Sequence, residues 1–177
     1  MKMIKPVMIG TIAMTLFSFG ANAANSQGSG VVNFKGTVIN APCGIDPESA
    51  DQTIDFGQIS KSNLNQGGTS GKKDVKIKLV NCDFSDPAFV NKTVEVTFSG
   101  TNAGDDESLG LSDTNAVIKM TGQDGKFVKF DGATGSNITK LMDGNNILSY
   151  QAWVKKGTQP VTEGEFVAAA NFKLAYN

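Results

Sequence analysis

Histidine and arginine are absent from the 177 residues, and all 16 basic residues are lysine. Without histidine there is no ordinary general base near neutral pH and no imidazole metal ligand. Without arginine there is no bidentate clamp for a carboxylate or a phosphate. Catalysis would have to rest on a carboxylate pair, a lysine or a cysteine. Cysteine is scarce as well, with only Cys43 and Cys82, and there is one tryptophan. No cluster of basic residues stands out, and the weakly acidic balance argues against nucleic acid and anionic membrane as partners.

The opening residues read as a cleaved secretory signal, 1–23. Lys2 and Lys5 precede an apolar centre from Val7 to Phe19, and Ala21-Asn22-Ala23 closes it with the small-x-small pattern of a cleavage site. The apolar run is shorter than the roughly 20 residues of a spanning helix and is broken by Thr11, Thr15 and Ser18. Removing 23 of 177 residues leaves 154, enough for one domain with a real core, carrying 14 lysines against 17 acids. In a secreted chain Cys43 and Cys82 most simply form one disulfide. Closing a loop of about 40 residues would stabilise by up to roughly 4 kcal/mol.

The rest reads as short strands between turn clusters. Val75, Ile77 and Leu79 alternate with lysines, and Val94, Val96 and Phe98 with Glu95 and Thr97. Further strands are expected over 116–120, 127–130 and 147–154. Gly122–Gly125, Asp131–Gly135 and Asp143–Asn146 between them are turn chemistry, since Gly, Asn and Asp reach positive φ cheaply. Ser60–Gln66 and Thr139–Met142 suit a short helix or a loop. The pattern predicts an all-β sandwich. The most regular strand is the last: Phe166, Ala168, Ala170, Phe172, Leu174 and Tyr176 share one face. With the sequence stopping at Asn177, its edge is expected to stay uncovered and to invite pairing with another chain.

Several matches to reactive motifs fail on their own residues. Gly67–Lys73 lacks the leading glycine of a phosphate loop, which falls on Gln66, and Lys73 stands where Ser or Thr is needed. Asp105-Asp106-Glu107 lacks the alternating ligand spacing of a calcium loop and reads as a surface turn. Trp153 lies within a strand run, where packing is the ordinary role, although a carbohydrate platform is the alternative. Glu163 and Glu165 share a strand face, a weak signal for acid–base work. No cofactor, metal or small-molecule substrate is implied. The glycosylation-like triplets at Asn91 and Asn137 are too short to carry weight.

Taken together, the two ends and the middle resemble one family. The signal segment, Gly36-Thr37-Val38-Ile39, Ala41-Pro42-Cys43, Asp51–Ile59 and Leu79-Val80-Asn81-Cys82 are similar to major pilins of the chaperone–usher class, the P-pilus and type 1 fimbrial shaft subunits of Gram-negative bacteria. Such pilins carry a glycine fourteenth from the end and a penultimate aromatic, positions held here by Gly164 and Tyr176.

The resemblance implies an incomplete immunoglobulin-like sandwich lacking its seventh strand, with a signal peptide (1–23), an N-terminal donor extension (24–41) and a pilin domain (42–177). It implies an acceptor groove and chaperone-binding strand along Gly164, Phe166, Ala168, Ala170, Phe172, Leu174 and Tyr176. A donor strand would present Gly30, Val32, Phe34, Gly36 and Val38 to the groove of another subunit. Gly36 stands where the family requires glycine; a bulge or turn is the other reading of that residue.

The implied partners are identical subunits, a periplasmic chaperone, an outer-membrane usher, and minor tip and terminator pilins. The implied route runs through the periplasm to an extracellular fimbrium that supports adhesion. The alternatives are a minor adaptor subunit and a self-contained secreted sandwich that binds carbohydrate through Trp153.

Overall fold

The computed structural model describes residues 30–177, so the expected signal segment and positions 24–29 of the expected extension lie outside the described residues. The chain divides into two units, Met1–Thr37 and Val38–Asn177. In the first, the described residues form no helix or strand and are exposed to solvent.

In the second unit, alternation of apolar and polar side chains becomes strand. Ile77 and Leu79 point inward and the lysines between them outward in β2 (Lys73–Cys82), and Val94, Val96 and Phe98 do the same in β3 (Thr93–Gly100). The remaining strands are β1 (Gly44–Ile45), β4 (Leu109–Gly110), β5 (Ala116–Gly122), β6 (Asp131–Lys140), β7 (Gly144–Lys156) and β8 (Ala170–Tyr176). All pairings are antiparallel and build two sheets, in the orders β1-β2-β7-β5-β4 and β6-β3-β8. Their inner faces meet in one core around Ile77, Leu79, Leu148 and Tyr150 from the larger sheet and Val94, Val96 and Phe98 from the smaller. This is an incomplete immunoglobulin-like β-sandwich. The Cys43–Cys82 disulfide joins the residue before β1 to the end of β2.

Two helical turns complete it. The first, α1 (Pro47–Ala50), is capped by the Asp46 carboxylate, which accepts the Glu48 N–H. The second, α2 (Lys61–Asn65), falls where a short helix or loop was expected, with the Ser60 hydroxyl accepting the Asn63 N–H.

Three expectations need correction. Asp131–Gly135 is not a turn but the start of β6, and Thr139 and Lys140 continue that strand. The turn chemistry there serves bulges. Gly132 (φ +72°) and Asn137 (φ +52°) sit where the β3–β6 register shifts, so extra residues are absorbed inside the strand. Phe127–Phe130 is not a strand: one bridge joins Thr121 to Phe127, and Val128 and Phe130 are buried as a core-filling segment. The last strand is shorter than its alternation suggests. Its partner β3 ends at Gly100, opposite Ala170, so residues upstream have no ladder to join. There Val167 exchanges hydrogen bonds with Ser112 instead, through the Ser112 hydroxyl and backbone N–H.

Candidate functional site: an open groove beside the last strand

Among the described residues β8 pairs with β3 on one side only. Asn177 and Thr93 exchange both backbone hydrogen bonds at 2.9 Å, which sets the phase of the antiparallel ladder. Ala175, Lys173 and Asn171 therefore turn their backbone groups toward β3. Phe172, Leu174 and Tyr176 turn theirs toward the open edge. The residues whose side chains reach inward are the ones that offer N–H and C=O groups outward to a further strand.

Beside this edge lies a groove of about 1450 Å³. Its floor is the core itself, including Ile77, Phe98, Ile118, Met120 and Val154. One rim is Gly164–Phe172 and the other Asp51–Ile59. The second rim also alternates, with Ile54 and Phe56 half-buried between exposed neighbours. Gly57 ends that alternation at φ +62°, its N–H held by the Asp55 carboxylate at 2.7 Å. The rims come closest in character at Phe56 and Phe166, whose ring centroids are 6.5 Å apart. Phe98 joins floor to rim, lying 5.1 Å from Tyr150 and 6.3 Å from Phe172.

The expected acceptor positions do not all have the same placement. Gly164, Phe166, Ala168, Ala170 and Phe172 line the groove. Leu174 and Tyr176 pack on the core beyond its lining. Burial pushes the Tyr176 phenol pKa up, and its hydroxyl has no hydrogen-bond partner among the described residues. Gly164 has φ +153°, a region that disfavours any side chain. The opposite rim, Asp51–Ile59, belongs to the segments that carry the family resemblance, but the alternation of Ile54 and Phe56 with polar residues does not by itself say what it faces.

The expected donor positions contrast with these. Val32, Phe34 and Val38 are 74%, 90% and 101% exposed. A Cβ added at Gly30 or Gly36 would meet nothing within 4 Å. No contact among the described residues explains why Gly36 should be glycine.

The other candidate groups are committed to local structure. Asp105 and Glu107 turn their carboxylates to Lys119, at 3.1 and 3.6 Å. Glu163 pairs with Lys61 at 3.0 Å on an exposed surface. Trp153 is half-buried on the outer face of the larger sheet, 6.0 Å from the Phe127 ring, with the Lys72 ammonium 4.9 Å over its own ring. Part of the indole face that a sugar would need is therefore in use.

Comparison with known proteins adds four findings. The family described as "Fimbrial protein" matches residues 32–177. KS71A fimbrillin of Escherichia coli is 50% identical over 186 residues, covering 98% of this chain and 100% of that protein. Among solved structures, a chaperone–usher pilus described in terms of rod uncoiling gives a TM-score of 0.79 at 45% identity, over 85% of this chain and 97% of that one. The P pilus rod subunit PapA gives 0.71 at 43% identity, over 77% and 100%.

Proposed function

Because the chain belongs to the fimbrial protein family, we propose that its open groove is the acceptor site through which copies of this structural subunit join into a pilus shaft. The observation that carries the reading is the groove itself. It reaches the core, and one rim ends in a strand whose outward backbone groups have no partner among the described residues. An extended segment laid along it would complete the ladder of β8 and cover Phe98, Ile118 and Phe172.

The segment Gly30–Val38 has the chemistry for that place. At about 3.3 Å per residue it spans roughly 26 Å. Its alternate residues put Val32, Phe34 and Val38 on one line, while Asn33, Lys35 and Thr37 take the other. Each buried apolar side chain would contribute about 1.5–3 kcal/mol and each ladder bond about 1 kcal/mol. Subunits would thus hold together without a covalent bond, by addition of a strand to an exposed sheet edge.

The same edge would pair first with a periplasmic chaperone strand and exchange it for the next subunit's extension at an outer-membrane usher. In this reading residues 1–23 are the removed signal, 24–41 the donor extension and 42–177 the pilin domain. The chain performs no chemical step. Minor tip and terminator pilins would occupy the fibre ends.

Gly36 gives the test. In a subunit-exchange assay, Gly36→Asn is expected to leave the chaperone-bound subunit folded and to block its use as a donor, because the side chain meets the acceptor groove and not its own fold. Fibre growth at the normal rate would refute the assignment.

A further inference from the structure

The connection between the proposed donor strand and the domain behind it is short, and its root is fixed. Val38 stands four residues before Pro42, whose carbonyl accepts the Asp83 N–H at 2.9 Å. The next residue, Cys43, is bonded to Cys82. Four residue steps reach at most about 14 Å. A neighbour that holds Val38 therefore lies within that distance of Pro42.

The surface beside this root carries exposed apolar side chains. Phe84, Val90, Leu141 and Met142 share the lining of a recess of about 360 Å³ with four polar residues, Lys92 and Lys140 among them. Met142 is 74% exposed and Val90 47%. A solvent-exposed methionine on a floppy loop would be unremarkable, but this one is held on a framework. Its N–H donates to the Asn146 side-chain oxygen at 3.1 Å, and its carbonyl accepts the same amide group at 2.7 Å. The Phe84 N–H donates to the Asp143 carboxylate at 2.9 Å, which ties the two walls of the recess together. Methionine is the side chain that best adapts to an irregular partner surface.

We propose that this recess at the disulfide end is a second contact between consecutive copies of the chain, seated on the neighbour that holds Val38. The inference rests on the donor-strand reading of Gly30–Val38. The occupant follows from the tether: no other body is constrained to lie so close to Pro42. In the assembled fibre the strand supplies the hold, and the recess limits the angle at which one subunit leans on the next.

Thiol labelling tests it, because both of the chain's own cysteines are bonded. Met142→Cys and Phe34→Cys chains are reacted with a maleimide as single folded subunits, and again in fibres where each is diluted into unmodified chain. Both positions are expected to react roughly tenfold more slowly, or slower still, in the fibre. If Phe34→Cys is protected and Met142→Cys reacts at its single-subunit rate, the second contact is overturned and the donor strand stands. If both react at their single-subunit rates, the donor-strand reading falls and this inference with it.

Discussion

β7 and β8 carry the same signal and meet different fates. Both alternate apolar with polar residues, and both lie in antiparallel sheets. In β7, Leu148, Tyr150, Ala152 and Val154 are between 0% and 4% exposed. In β8, Phe172, Leu174 and Tyr176 are only half-buried and Ala170 is exposed. The difference is neighbours: among the described residues β7 lies between β2 and β5, whereas β8 has β3 alone. A strand pattern specifies which face is apolar. It does not specify that the subunit itself covers that face, and here the second side stays open among the described residues.

The comparison can be broken from the β7 side first. Leu148→Ala removes a fully buried side chain with neighbours all round, and is expected to lower the stability of the single subunit by about 2–5 kcal/mol, read from denaturant midpoints. A loss below about 1 kcal/mol would mean the core of the larger sheet is as loosely closed as the groove.

Phe172→Ala sharpens it from the β8 side. Because Phe172 is only partly buried, the single subunit is expected to lose only about 1–2 kcal/mol, while the fibre loses at least as much again in resistance to dissociation. Equal losses in subunit and fibre would show that nothing further covers the ring on assembly.

The smallest effect concerns β6, on the far side of β3. The Thr134 hydroxyl donates to the Asp131 carboxylate, as do the Thr134 and Ala133 N–H groups, and these bonds hold its pKa down to about 2. A carboxyl depressed in the folded state stabilises above its unfolded pKa of about 3.8 and loses that contribution as pH falls through the folded value. Asp131→Asn is therefore expected to lower the melting temperature slightly at pH 7. The gap to the unmodified chain should close between pH 4 and pH 2. A gap constant across that window would assign the carboxylate no such role.

Much of this fold is legible because period-two alternation is local. The strand segments 75–80, 94–98, 116–120 and 147–154 follow from side-chain order alone, whereas Ser60–Gln66 stays open between a short helix and a loop. The disulfide follows from there being only two cysteines. The misreadings have one cause. Asp131, Gly132 and Asn137 carry genuine turn chemistry, but whether positive φ makes a reversal or a bulge depends on the strand alongside, and β3 is supplied from more than 30 residues upstream. Phe127–Phe130 has a strand's composition yet finds only one bridge, to Thr121 on the edge of β5 away from β7, because β4 occupies that edge at Val117 and Ile118.

The candidate site divides in the same way. The sequence by itself determined that the chain has an apolar last strand and an alternating segment near its beginning with a glycine in the middle, since both are patterns of neighbouring residues. Only the tertiary structure decided that β8 lies at a sheet edge, that Asp51–Ile59 forms a facing rim, and that the slot between them opens onto Phe98 and Ile118. An edge is a property of how strands are ordered in space. The order β6-β3-β8 brings residues far apart in the chain together, and no local pattern encodes which strand is left without a second neighbour.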